Sequence, residues 1–194
     1  MKQTDHSYRQ RLIDAALGLF KERGYGNVAI KDICVAADCS NGTFYYHFGS
    51  MNGLLKAIRE QGVVITPDLL AKLAVISSAW EKLWLIHSTV CDNIAKRGPS
   101  LQAQLLFSFD EADRQSYHTS LLNTDQFIVP LIKQGQECGE IRNQTPAETL
   151  ANTVGLTMIG VIYYWYLGNG ELDLETYMRT ELQNLYDLRP DLRA

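Results

Sequence analysis

The densest run of hydrogen-bonding side chains is residues 40–48, Ser40-Asn41-Gly42-Thr43-Phe44-Tyr45-Tyr46-His47-Phe48. Hydroxyls, an amide and an imidazole packed into two helical turns suit the recognition of phosphates and base edges. Phe44 and Phe48, at i and i+4, claim one apolar face. Five consecutive residues cover a helix's whole circumference, so Tyr46, most nearly opposite Phe44, and His47 are expected to point outward. Tyr45 divides between contact and support of the core. Two other constellations invite chemistry. Cys34, Cys39 and His47 suggest zinc, but their spacing matches no finger and no fourth ligand is near, so both cysteines are expected in the core and no metal is assigned. Cys91 follows His87 by one helical turn, yet no oxyanion hole or oriented base accompanies the pair, so catalysis and a cofactor are not expected.

The elements that position these residues are helical almost throughout. Leu12, Ala16, Leu19 and Phe20 stripe a first helix that Gly24 ends. Short helices follow at about 30–36 and 40–47, and Ser50 can cap a fourth that Pro67 ends or kinks. Ser77 or Ser78 opens a long helix to about Lys96, closed by Gly98-Pro99. Further helices are expected at about 101–112, 125–137 (containing Pro130), from Thr145-Pro146 to Gly168, and at about 174–188, with a polar stretch at 115–124. The expectation is all-α, about nine helices, with a three-helix domain at 1–50 and a larger helical domain at 51–194.

Residues 29–48 form two short helices separated by a tight turn, a helix-turn-helix pattern. The second helix of such a motif inserts its N-terminal residues into the major groove of DNA. With Phe20, Gly24-Tyr25, Lys31-Asp32-Ile33, Ser40 through Phe48 and Leu54-Leu55, residues 8–60 resemble the DNA-binding domain of the TetR family of transcriptional regulators. The resemblance implies DNA contacts from Lys31, Ser40, Asn41, Gly42, Thr43, Tyr45, Tyr46 and His47, and a C-terminal domain that dimerises and binds small ligands. Three positions depart from the family's habit: Asn41 and Met51 stand at or near basic positions, and Ala29 stands where a hydroxyl residue opens the second helix. Fewer neutralised phosphates imply a shallower salt dependence, and Asn41 can pair bidentately with adenine.

In the remainder, Trp84, His87 and Cys91 share one face of the long helix. With Phe107 they are expected to wall a pocket for a small hydrophobic ligand. Residues 150–167 carry two apolar stripes. The stripe of Val154, Met158, Val161 and Trp165 is assigned to a homodimer interface; the second runs through Leu156, Ile159, Tyr163 and Leu167.

The 194 residues are 46% apolar and 21% charged, which argues against disorder, and the formal charge is -4. The charge is uneven: residues 1–60 carry eight Lys and Arg against six Asp and Glu, the rest ten against 16. Arg9, Arg11 and Asp14 interrupt any leader, the apolar stretch at 154–167 reads as too short to span a bilayer, and the four cysteines show no disulfide framework. The expected protein is cytoplasmic, makes no membrane contact, is not an enzyme, and represses transcription from a double-stranded DNA operator until its ligand releases it. An orphan regulator without a ligand, or an all-helical enzyme or carrier with a structural helix-turn-helix, are the rival readings.

Overall fold

Ten α-helices account for the described residues, which in this computed structural model are 2–60, 65–108 and 126–193. They are α1 (Lys2–Arg23), α2 (Ile30–Ala36), α3 (Asn41–Phe48), α4 (Met51–Glu60), α5 (Pro67–Ala74), α6 (Ala79–Arg97), α7 (Pro99–Phe107), α8 (126–137), α9 (Ala147–Leu167) and α10 (Leu174–Leu185). The only β-type pairing among them is a single bridge, Ile141 to Leu188. The all-α expectation holds, with one helix more than the sequence reading counted. Pro67, expected to end or kink a helix, opens α5: its fixed φ suits the first helical position, and Thr66 Oγ1 accepts a hydrogen bond from the Leu69 N–H at 3.2 Å. Pro99 likewise opens α7. At the head of α9 the cap is Pro146 and the first helical residue Ala147, one position later than expected. The polar stretch at 115–124 lies outside the described residues.

The chain divides into two compact units, residues 1–63 with 96–110, and residues 64–95 with 111–194. The first unit therefore takes in α4 and α7, which lie beyond the sequence-derived boundary at residue 50. Its core is built from Leu12, Ile13, Ala16 and Phe20 of α1, Ile33 and Cys34 of α2, Phe44 and Phe48 of α3, Leu54, Leu55 and Ile58 of α4, and Leu101 and Leu105 of α7. Gly24 ends α1 at φ 76°, ψ 148°, a conformation open in practice to glycine. At the α3–α4 corner a Cβ on Gly53 would collide with the Phe48 carbonyl oxygen, so the corner closes only around glycine.

In the second unit α6 presents Trp80, Leu83, Trp84, His87 and Cys91 inward, all buried. Trp80 and Trp84 stack with centroids 6.1 Å apart, Tyr186 meets Trp80 edge-on, and the Arg179 guanidinium lies over Trp84 at 5.2 Å. Glu140 closes the N-terminus of α6, accepting from the Trp80 N–H at 2.8 Å and the Ser78 hydroxyl at 3.0 Å. Helix α9 fills the span expected between Pro146 and Gly168. It runs for 21 residues and is long and apolar enough to cross a membrane by length and composition alone, because the helix extends through 147–153 ahead of the apolar stretch. Its buried face, with Leu150, Val154, Val161 and Trp165, belongs to the core of its own unit.

Candidate nucleic-acid interface

Two short helices and one turn set the recognition face. Helix α2 begins after Ala29, whose backbone has cap dihedrals (φ -94°, ψ 158°) but whose side chain can accept nothing. Asp32, three residues on, supplies half of a capping box: its Oδ2 accepts from the Ala29 N–H at 2.9 Å. Replacing the exposed Ala29 with Ser supplies the missing half. Ala29→Ser is expected to raise the stability of the full chain by about 0.5–1 kcal/mol, read by urea unfolding; an unchanged or lower midpoint would contradict it.

Helix α2 stops in a Schellman arrangement. The Ala37 N–H bonds the Ile33 carbonyl at 2.9 Å, Asp38 takes a left-handed φ of 50°, and the Cys39 N–H bonds the Cys34 carbonyl at 2.9 Å. Arg11, from α1, locks this turn by donating to the Ala37 carbonyl at 2.6 Å. Ser40 then caps α3, its Oγ accepting from the Thr43 N–H at 3.1 Å. A residue between two caps, Cys39, thus joins the end of one helix to the start of the next.

With Phe44 and Phe48 buried, α3 turns its other faces outward as the spacing predicts. Tyr46 is 77% exposed and Tyr45 53%. Lys31, Ser40, Asn41 and Gly42 are exposed, and Thr43 and His47 half-buried. The Tyr46 and His47 rings meet edge-to-face at 5.1 Å, and Tyr45 rests edge-on against Phe44 at 5.7 Å. All eight residues assigned from the sequence therefore lie on α2, α3 or the cap between them. Val35, one turn after Lys31 on α2, is 73% exposed and joins that surface. Arg11 is the positioning residue that sequence reading missed. Its acceptor is a main-chain carbonyl 26 residues away, and no residue type marks such a partner.

Of the residues expected to wall a ligand pocket, three belong to the second unit and one to the first. Trp84, His87 and Cys91 share the buried face of α6, whereas Phe107 belongs to the first unit and is 56% exposed. Burial holds His87 neutral, its pKa lowered to about 4. Burial, then the Glu175 and Asp92 carboxylates, push the Cys91 thiol up to about 12. Neither is poised as base or nucleophile. Cys91 opens on a cleft of about 310 Å³ that it shares with Trp165, Leu172 and Leu174. A second cleft of about 340 Å³ is apolar, lined by Leu70, Leu73, Ile86, Phe127 and Leu131 with Lys82 beside them.

The interface assignment needs correction too. Val154, Val161 and Trp165 are buried within their own unit and Met158 is half-buried, so this stripe is not free for a partner. The opposite side of α9 is open instead: Leu156, Tyr163, Tyr164, Tyr166 and Leu167 are exposed. Two apolar stripes on one helix are indistinguishable until packing, here with α10, selects one.

Comparison with known proteins agrees with this geometry. Residues 12–58 match the family of bacterial regulatory proteins of the tetR type. The Transposon Tn10 TetC protein of Escherichia coli is 24% identical over 131 residues, 66% of each chain, so the match spans just under two thirds of that relative. The HTH-type transcriptional repressor KstR2 of Rhodococcus jostii is 25% identical over 187 residues, 92% of this chain and 89% of its own. Among solved structures, the regulator FadR from Bacillus subtilis, crystallised with stearoyl-CoA, superimposes with a TM-score of 0.73 at 20% identity, over 91% of this chain and 97% of that one. A helix-turn-helix closed by caps, with a polar outer face on α3, and a family match over that same segment lead to one conclusion: residues 12–58 are similar to the N-terminal domain of the bacterial regulatory proteins of the tetR family.

Proposed function

We propose that this chain is a homodimeric DNA-binding repressor that a small hydrophobic ligand releases from its operator in the cytoplasm. The observation that carries the reading is the outer face of α3, where Tyr46, Tyr45, Asn41 and the Ser40 cap stand exposed above a fully packed Phe44. Asn41, Tyr45, Tyr46 and His47 would read base edges, while Lys31, Ser40, Thr43 and the open backbone at Gly42 would grip phosphates. Selection of bound sequences from a random DNA pool by the purified protein tests this directly; a pool that never enriches would overturn it.

The ligand half of the proposal rests on the apolar cleft between α5, α6 and α8, where Lys82 supplies a cation at the edge of aliphatic walls. That chemistry suits a long hydrocarbon carrying an anionic end, the class to which the stearoyl-CoA of the Bacillus subtilis FadR complex belongs. Titration with long-chain acyl-CoA thioesters is expected to raise the Tm and release the selected operator. A hydrophobic panel that moves neither would favour the orphan reading.

The dimer half rests on the exposed side of α9. Leu156 and Leu167 are each exposed above 60%, and Gly155 and Gly160 leave open space where a Cβ would stand, so a second helix can approach closely. Sedimentation is expected to give about twice the 21.9 kDa chain mass. The double variant Leu156→Glu/Leu167→Glu is expected to sediment as a monomer, because unpaired carboxylates buried between subunits are costly. A dimer that survives both substitutions would place the interface elsewhere.

A further inference from the structure

Cys34 and Cys39 bracket the turn of the helix-turn-helix, and the geometry of that turn puts them against each other. In a Schellman stop the residue whose N–H makes the long backward bond packs on the residue whose carbonyl receives it. Here those residues are Cys39 and Cys34, joined by the 2.9 Å bond between the Cys39 N–H and the Cys34 carbonyl. Standard bond lengths on either side of that hydrogen bond cap the Cα–Cα separation at about 6.8 Å. Disulfides span Cα–Cα separations of about 4.4–6.8 Å. Cys34 is buried in the core of the first unit, and Cys39, half-buried, packs against the same core. Neither thiol is bridged.

We propose that Cys34 and Cys39 form a redox-modification site, a dithiol that hydroperoxides oxidise to an intramolecular disulfide, and that the disulfide weakens DNA binding. The second half of this rests on the DNA-binding reading above; the first does not. Cys39 is the half-exposed member and the one that meets peroxide first. Its S–H donates to the Ala37 carbonyl at 3.3 Å, the same oxygen to which the Arg11 guanidinium donates at 2.6 Å. The Cys39 thiolate attacks one oxygen of hydrogen peroxide, the O–O bond breaks, and a sulfenic acid forms with release of hydroxide. Cys34 sulfur then attacks the Cys39 sulfur, the S–O bond breaks, and the oxygen leaves as water with the Cys34 proton. Net, two thiols and one peroxide give one disulfide and two waters. Burial, and then the neighbouring Cys39, push the Cys34 thiol up, which leaves the first attack to Cys39.

The consequence for DNA follows from position. Cys39 is immediately followed by Ser40, the cap of α3. Drawing Cys39 sulfur onto Cys34 withdraws it from the Ala37 carbonyl and shifts the turn that Arg11 holds. The displacement passes directly to the cap and first turn of the helix whose exposed residues would read bases.

The test uses the full chain carrying Cys138→Ser, which removes the exposed thiol able to link two molecules. Cys34 and Cys39 fall in one tryptic peptide, residues 32–56, with no Lys or Arg between its ends. After hydrogen peroxide treatment, unfolding and alkylation, that peptide is expected to be lighter by two hydrogens and unalkylated. Affinity for the selected operator is expected to fall at least tenfold, and dithiothreitol to restore both. Adding Cys39→Ser should abolish both responses to peroxide. A peptide that alkylates at both cysteines, or carries a sulfinic acid on Cys39 without the bridge, overturns the site. A bridge formed in full with unchanged operator affinity overturns its effect on DNA. Were the protein to bind no DNA at all, the mass of the peptide would still decide whether the disulfide forms.

Discussion

Replacing Tyr46 and His47 together with alanine is expected to abolish specific operator binding while the protein stays folded. Each base or phosphate contact removed from a recognition helix costs about 1–3 kcal/mol, so the pair should lower affinity about a thousandfold. The fold should tolerate the change because Tyr46 is largely solvent-exposed and the α3 anchors, Phe44 and Phe48, are untouched. Fluorescence anisotropy with the selected operator gives the affinity, and a thermal melt followed by circular dichroism gives the fold. A melted double variant would be uninformative about DNA, so Tyr46→Ala alone is the second measurement, expected to lose about tenfold or more with an unchanged Tm. Wild-type affinity in either folded variant would remove α3 from the interface. Asn41→Ala should behave differently, relaxing preference at one base position without a uniform loss, because an amide reads a base edge and carries no charge for phosphate.

The second large effect is on stability at mildly acidic pH, and it comes from the other unit. His87 is buried on α6 with its Nε2 unpaired, and burial lowers its pKa from the usual 6.5 to about 4. Above pH about 6.5 the imidazole is neutral in both folded and unfolded chains, and nothing is lost. Between about 6.5 and 4 the unfolded chain binds a proton that the folded chain refuses, so stability falls as pH drops. Below 4 both forms are protonated and the loss levels off at about 3 kcal/mol. Urea unfolding at pH 7 and pH 4.5 is expected to show this loss in the wild type and a smaller one in His87→Leu. Other groups titrate in both proteins, so the difference between their pH slopes isolates the imidazole. Equal slopes would mean that His87 is hydrated or paired in solution.

The sequence by itself determined the local part of this protein. The helical class, the Ser40 and Ser50 caps, the burial of Phe44 and Phe48 and the exposure of Tyr46 all follow from relations within four residues. Such relations survive in any tertiary setting, because a cap bond or an i, i+4 stripe is closed within one turn of chain. Pro67 shows the edge of that reach: the same residue can end one helix or begin the next, and only the Thr66 side chain bonding forward to Leu69 decides between them. What only the tertiary structure decided involves partners far apart in the chain. Arg11 acts on a carbonyl 26 residues away, and α7 packs into the core of the first unit. The interface stripe was misassigned for the same reason. Both faces of α9 are apolar enough to bury, burial is non-directional, and periodicity records how many faces want cover without saying what covers each. The packing of α9 in its own unit takes Val154, Val161 and Trp165 inward, and that choice leaves Leu156, Tyr163 and Leu167 facing out.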